Sequence, residues 1–171
     1  MRRFKIGDKL FHPVYGTGTL VDLKKDTSSG DGAEYLVISL TAHDGRFMIP
    51  LDRVDESGVR KVIQERNRPS LGRLFGGRPR RLSDNHLKRR QEIEKRLTEG
   101  LFKDIGHLIR DLASRQARSG LNAYERRVLK RAKGLLAQEF AASEDIDTET
   151  AMEQIDAALE RRLSRSQEQG K

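Results

Sequence analysis

The chain has 171 residues, a formal net charge of +8, no cysteine and a mean hydropathy of −0.73. Its length allows one ordinary domain or two small ones, and its polar composition excludes a protein buried in a membrane. The lack of cysteine excludes disulfides and thiolate metal sites and favours a cytoplasmic protein. The longest apolar run, YLVISL, is too short for a membrane span, and Gly7 and Asp8 interrupt the basic N-terminus, so we expect no targeting or anchoring segment.

The positive charge is concentrated in the middle of the chain. Residues 1–70 carry a net charge of +2, residues 71–135 of +11 and residues 136–171 of −5. The segment 78–90, RPRRLSDNHLKRR, alone contains six Lys and Arg residues. A localised, arginine-rich excess indicates a polyanionic partner, of which nucleic acid is the most common. The alternative is a solvated surface that maintains solubility.

From Phe4 to about Val54 the sequence consists of short strand-like runs. KLFHPVYGTGTLVDLKK, AEYLVISL and RFMIPLDRV are separated by the turn segments DTSSGDGA and TAHDG. Short β-rich runs bounded by glycine and aspartate are typical of a bent antiparallel sheet. This half of the chain therefore predicts a small, five-stranded Tudor-like or SH3-like β-barrel. The GTG at 16–18 lacks the lysine and the following helix of a phosphate-binding loop.

After Gly58 the hydrophobic spacing becomes helical. Apolar residues recur on one helix face in three segments: Phe102, Ile105, Ile109 and Leu112; Leu129, Ala132, Leu136 and Phe140; Met152, Ile155, Leu159 and Leu163. NAYE at 122–125 predicts a capping box. The predicted fold class is α+β with two domains: a β-barrel at 1–66, a linker with a short helix at 67–80, an all-α helical domain at 81–165 and a frayed tail at 166–171.

No combination of residues typical of catalysis is present. The histidines at 12, 43, 86 and 107 lack metal-ligand spacing, and neither a nucleophile elbow nor a dinucleotide-binding fingerprint occurs. We therefore expect a binding protein that is not an enzyme and that holds no metal or cofactor.

Cationic side chains form stripes on the helix that begins near Tyr124. Arg126, Lys130 and Lys133 make one stripe and Arg127 with Arg131 another, and Lys88, Arg89 and Arg90 add a second cluster on the preceding basic segment. Cations in such stripes contact phosphate groups without reading bases. We interpret both clusters as DNA-binding; a merely solvated role for any single member stays open.

Several segments together resemble the CarD/CdnL family of bacterial transcription regulators. They are FKIGDKLFHPVYGTG, EYLVISL, RFMIP, SGVRKV, LTEGLFKDIGHLIRDL and SGLNAYERRVLKRAKGLLAQEFA, and they cover residues 4 to about 142. The resemblance implies a Tudor-like domain that binds the lobe of the RNA polymerase β subunit and a helical domain that contacts promoter DNA just upstream of the melted region. The implied function is stabilisation of the open complex, by a protein that we expect to be a monomer.

The resemblance also implies residues for the polymerase contact, which in the family is an edge-strand docking. Carried onto this sequence, the contact falls on Lys24, Lys25 and Asp26, on the strand at Tyr35 to Ile38 including Val37, and on Arg46 to Met48. Main-chain hydrogen bonds supply affinity in such a contact, and alternate side chains must fit. Asp26 and Met48 stand where relatives are expected to carry arginine.

The resemblance gives the basic segment a further role. Fourteen positions before Gly100, relatives carry a tryptophan that wedges into the minor groove at the edge of the bubble; His86 occupies that position here, and Leu87 is the alternative wedge. A wedge fills the gap left by an unstacked base step. The competing functional interpretation is a free-standing nucleic-acid-binding protein, for DNA or structured RNA, without a polymerase contact.

Overall fold

The computed structural model describes residues 4–25 and 32–168, with side chains described up to Ser166. The chain divides into two compact units, Met1–Ile63 and Gln64–Lys171. The first is built on a β-sheet and the second on helices, as the change in hydrophobic spacing predicted. In the part of the chain that the structure describes, every helix is too short or too polar to span a lipid bilayer.

Within the described residues, five strands form one antiparallel sheet. β1 spans Lys9–His12, β2 Gly16–Lys25, β3 Glu34–Leu40, β4 Arg46–Pro50 and β5 Arg60–Lys61. Their order is β4-β3-β2-β1-β5, so β4 and β5 lie at the two edges. The α+β class is confirmed, but the sheet is open where we expected a closed barrel. Five strands were expected, but the position of β5 was not, because it lies after Gly58, where the helical spacing was taken to begin.

One face of this sheet packs on the core of the unit. Strand residues at alternate positions are buried there, including Leu20 on β2, Leu36 and Ile38 on β3 and Ile49 on β4. The helix α1 (Val54–Ser57) adds Val54 to the same cluster. The close β2–β3 approach requires glycine at position 18, where a Cβ atom would lie 2.5 Å from the carbonyl oxygen of Ser39.

The second unit contains α2 (Leu71–Phe75), α3 (His86–Glu99), α4 (Phe102–Ser119), α5 (Ala123–Glu144) and α6 (Thr148–Glu168). The apolar stripe predicted at 102–112 is buried throughout on α4. On α5, Ala132, Leu136 and Phe140 are buried and Leu129 is half-buried. The predicted capping box is confirmed: the Asn122 side chain accepts from the backbone N–H of Glu125, and the Glu125 carboxylate accepts from that of Asn122.

The segment expected to be a linker at 67–80 is packed into the helical unit. Leu74 and Phe75 on α2 are buried, and α2 contacts α4 and α6. A Cβ atom at Gly106 on α4 would lie 2.5 Å from the Leu74 side chain, which shows how closely the two helices approach. The sequence pattern did not indicate this packing, because arginine, glycine and proline surround a short apolar run. At the other end of the unit, α6 continues to Glu168, beyond the start of the expected tail.

Candidate functional site

The residues expected to contact polymerase lie mostly on one face of the sheet. The strand register pairs Lys24 with Tyr35 across β2 and β3, and Val37 with Met48 across β3 and β4. Since side chains alternate between faces, these residues share with Arg46 the face opposite the core, here called the outer face. Lys25 pairs with Glu34 and belongs to the other side of the strand. Asp26 lies outside the described residues.

Only part of this region can offer a free strand edge. β3 pairs with β2 on one side and with β4 on the other, so its main chain is already used by the sheet. The expectation of edge docking at Tyr35 to Ile38 is therefore wrong, and those residues contribute side chains only. Among the described strands β4 pairs with β3 alone, which leaves its outer edge open. Met48 on β4 is 50% exposed.

Aromatic residues beside β4 form a feature that the sequence analysis missed. The rings of His12, Tyr15 and Phe47 lie with centroids 4.7–5.4 Å apart, and with Met48 they line a hollow of about 300 Å³. His12 is held in place because its Nδ1 accepts from the backbone N–H of Val14 at 3.0 Å, and burial lowers the pKa of its imidazole. The signal was the unusual HPVY turn between β1 and β2, which brings its aromatic residues to Phe47.

The start of α3 presents the residues of the basic segment. The Asn85 side chain caps the helix by accepting from the N–H groups of Leu87 at 3.0 Å and Lys88 at 3.1 Å. His86 is exposed, but its Nδ1 lies 2.8 Å from Nη2 of Arg89. Because a guanidinium only donates, this nitrogen is the acceptor and the ring is tied to its own helix. Leu87, at 74% exposed, is the most exposed large apolar side chain of the described residues.

Arg89, predicted as a DNA contact, is instead a buried structural residue. It is 2% exposed, and its Nε donates to the Glu125 carboxylate at 2.5 Å. Its Nη1 donates to the carbonyl oxygens of Ser83 at 2.6 Å and Asp84 at 3.1 Å. Burial alone would raise the pKa of Glu125, but the hydrogen bonds from Arg89 and from the Asn122 backbone lower it on balance. The Glu125 carboxylate is therefore ionised. The prediction that Arg89 contacts DNA failed because its partner Glu125 lies 36 residues away in sequence.

The cations of α5 separate into two groups. Arg126 donates from Nη1 to the Leu121 carbonyl oxygen at 2.5 Å, and Lys133 is half-buried in an ion pair with Asp156 of α6. Arg127, Lys130 and Arg131 are exposed. The predicted double stripe is therefore reduced, because Lys133 already neutralises a carboxylate and Arg126 helps to close the turn before its helix.

The starts of α3 and α5 lie side by side. The Arg89–Glu125 pair joins them, and the Tyr124 hydroxyl donates to Glu94 of α3 at 2.6 Å. The Arg90 guanidinium lies 5.0 Å from the centre of the Tyr124 ring. Five of the exposed cations on these two joined helices are here called the basic surface: Lys88, Arg90, Arg127, Lys130 and Arg131. Such a surface can contact a phosphate backbone.

The histidine and carboxylate side chains of the described residues are those that could bind a metal ion. Among the described residues, no group of three or more histidine, aspartate or glutamate side chains is arranged to hold a metal ion. His107 on α4 is half-buried, and burial lowers the pKa of its imidazole.

Comparison with known proteins assigns both units to one family. Residues 4–63 match the family model of the CarD-like/TRCF RID domain, and residues 71–156 match that of the CarD C-terminal domain. A Bacillus subtilis (strain 168) protein named "Putative transcription factor YdeB" is 25% identical over 139 residues, which cover 80% of this chain and 90% of that protein. The chain therefore belongs to the CarD/CdnL family of transcription regulators, with the two family domains in the order that its sheet and its helices predicted.

Proposed function

We propose that this protein binds the lobe of the RNA polymerase β subunit through its sheet and upstream promoter DNA through its helical unit. By doing so it lengthens the lifetime of the open complex during initiation. The observation that carries the proposal is that one chain joins a CarD-like/TRCF RID domain to a CarD C-terminal domain that bears the basic surface on two joined helices. No step requires a catalytic residue or a cofactor, and the protein acts in the cytoplasm as a monomer.

The polymerase contact is formed at the open edge of β4. A strand of the β lobe adds to this edge by main-chain hydrogen bonds, as in β-augmentation. The exposed Met48 and Arg46 lie beside that edge on the outer face and meet alternate side chains of the added strand. Met48 makes this contact more apolar than an arginine would, and the adjoining hollow at Tyr15 and Phe47 accepts an apolar side chain from the same strand.

The DNA contact is formed by the basic surface. If four or five of its cations each meet a phosphate, duplex affinity falls by roughly two to three orders of magnitude between 50 and 200 mM salt. Contacts of this kind position a protein without selecting a sequence, so binding at the promoter depends on the polymerase tether. Tethering raises the effective concentration of the helical unit at the upstream DNA, which makes a weak contact sufficient.

Leu87 is the better candidate for the residue that inserts at the edge of the bubble. Its apolar side chain projects freely from the first turn of α3, whereas His86 is hydrogen-bonded to Arg89. An inserted apolar side chain replaces lost base stacking and opposes reclosing of the strands. This contact exists only in the melted state, and binding that favours one state shifts the population toward it.

The polymerase contact is tested by the affinity of the full-length protein for purified RNA polymerase, measured by interferometry. Met48→Glu places a charge beside the β4 edge and is expected to weaken binding at least about tenfold. Ile6→Glu is the matched control, since Ile6 is 62% exposed in the same unit but lies outside the strands. Equal affinities for the two variants would exclude docking at β4. Absence of any binding, with duplex binding retained, would instead favour a free-standing nucleic-acid-binding protein.

The wedge is tested by the lifetime of open complexes after addition of a competitor. Leu87→Ala is expected to shorten the lifetime and Leu87→Trp to lengthen it, because the gap left by the unstacked step is filled less or more completely. His86→Ala removes the neighbouring ring and is expected to have the smaller effect. A larger effect at His86 than at Leu87 would reverse the assignment.

A further inference from the structure

A second cationic feature of the helical unit lies apart from the basic surface. A cleft of about 910 Å³ opens between the Gly76–Pro79 segment, the C-terminal part of α4 and the C-terminal part of α6. The side chains that line it include Arg78, Pro79, Arg118, Arg162, Leu163 and Arg165. None of the five cations of the basic surface lines it.

The charge of this cleft is uniform. Its described lining residues include four arginines and no aspartate or glutamate. Arg78, Arg118 and Arg165 have no carboxylate within ion-pair distance among the side chains that the structure describes, whereas other arginines of the unit are paired, such as Arg96 with Asp111. Residues 136–171 have a net charge of −5, so the arginines of α6 that line the cleft lie in an otherwise acidic part of the sequence.

One wall of the cleft is held in a fixed position. Nη2 of Arg162 donates to the carbonyl oxygen of Gly77 at 2.7 Å, and its Nη1 hydrogen-bonds to the Ser166 hydroxyl. Gly77 has a φ of +77°, which favours glycine and turns the chain at this point. The loop and α6 are therefore joined before any ligand arrives, which reduces the entropy lost on binding.

The size and charge of the cleft define the ligand. The volume equals a sphere about 12 Å across and lies within the usual range for small-molecule sites, roughly 300–1,000 Å³. Guanidinium groups form forked hydrogen bonds with phosphate oxygens, and several of them around one volume match linked phosphates. Pro79 and Leu163 supply an apolar wall suited to a base.

We propose that this cleft binds the triphosphate chain of a small molecule, with a nucleoside triphosphate as the ligand. The triphosphate meets Arg78, Arg118 and Arg165, while Arg162 holds the cleft open in the correct shape. This site goes beyond the proposed function and does not depend on it, because neither the β4 edge nor the basic surface contributes to it.

The test is calorimetric titration of the full-length protein with ATP, inorganic tripolyphosphate and AMP at near-physiological salt. ATP and tripolyphosphate are expected to bind at least about tenfold more tightly than AMP, because linked phosphates engage several arginines at once. Tighter binding of ATP than of tripolyphosphate would identify a nucleotide, and equal binding would identify the phosphate chain as sufficient; both results support the site.

The variant Arg78→Gln/Arg118→Gln is expected to weaken ATP binding at least about tenfold. Arg73→Gln/Lys103→Gln is the matched control, since both residues are exposed, lie outside the cleft and remove the same charge. All four substitutions are at exposed positions, and circular dichroism verifies folding. Equal losses in the two variants, equal affinity for AMP and ATP, or no ATP binding at millimolar concentration would each overturn the proposal. A specific loss of duplex affinity in the cleft variant, without nucleotide binding, would assign the arginines to DNA instead.

Discussion

Replacing Arg89 by methionine distinguishes a buried structural cation from the exposed cations beside it. The substitution keeps most of the side-chain volume but removes the donors to Glu125, to two backbone carbonyls and to His86. Removing one partner of a buried ion pair costs up to about 3–5 kcal/mol, because the other charge is left buried. Arg115, whose Nε lies 3.6 Å from the Glu125 carboxylate, stays as a weaker partner. A typical domain has a total stability of only about 5–15 kcal/mol. The helical unit is therefore expected to lose a large fraction of its stability.

The assay is urea unfolding followed by circular dichroism, with Lys88→Met as the matched control. Lys88 is the adjacent, exposed cation, and its replacement is expected to change the free energy of unfolding by less than about 0.5 kcal/mol. Duplex binding reverses the order: Lys88→Met lowers the affinity, while folded Arg89→Met retains it. A cost below about 1 kcal/mol for Arg89→Met, together with a loss of DNA affinity equal to that of Lys88→Met, would refute the structural assignment.

A double variant checks the cause of the loss. Arg89→Met/Glu125→Leu removes both charges, so the unit is expected to regain much of the stability that the single variant loses. The capping box, at about 1 kcal/mol, and the ion pair of Arg115 with Glu125 stay lost. The pH dependence has a definite sign. Glu125 has a pKa below its ordinary value of 4.5, so its contribution is complete above that pH and is lost as the pH falls through the lowered pKa. The stability advantage of the natural protein over the double variant should therefore shrink in acid.

Two further measurements probe the same unit. Gly106→Ala is expected to lower the free energy of unfolding by about 1–3 kcal/mol, because its methyl group would meet Leu74. Gly134→Ala, in open space on α5, should raise it by about 0.5–1 kcal/mol. Urea unfolding that ranks the two variants otherwise would contradict the α2–α4 packing. Burial and the hydrogen bond to Glu94 raise the pKa of Tyr124 to about 12, so the stability from its protonated form is complete below pH 10 and declines as the pH rises through 12. The near-ultraviolet absorbance of tyrosinate should show a late step that Tyr124→Phe abolishes, and persistence of that step would disprove the shift.

Local sequence features predicted the elements well where one short-range signal decided the structure. The apolar spacing of α4 and the Asn122–Glu125 capping box required only residues within a few turns of each other. The β-rich runs before Val54 likewise became strands. Packing of α2 was not predictable in this way, because Leu74 and Phe75 become buried only through α4 and α6, which follow much later in the chain.

The functional surfaces show the same division. Exposed cations on one helix face, such as Arg127 and Arg131, follow directly from helical spacing. The ion pairs of Arg89 and Lys133 do not follow from it, because a charge and its distant counter-charge cannot be matched from spacing alone. Edge and interior strands have similar residue patterns, so the position of β3 between two neighbours was equally hidden until the pairing was known.

Glu125 stabilises two helices. Its carboxylate completes the capping box at the start of α5 and accepts a hydrogen bond from Arg89 of α3. The cations on the two helices are therefore held relative to each other by one shared carboxylate. In the proposed DNA contact, the entropy of aligning them is therefore lost once, when the chain folds, and not again on binding. The weak, sequence-tolerant contact proposed above could then release and rebind quickly while the surface keeps its shape.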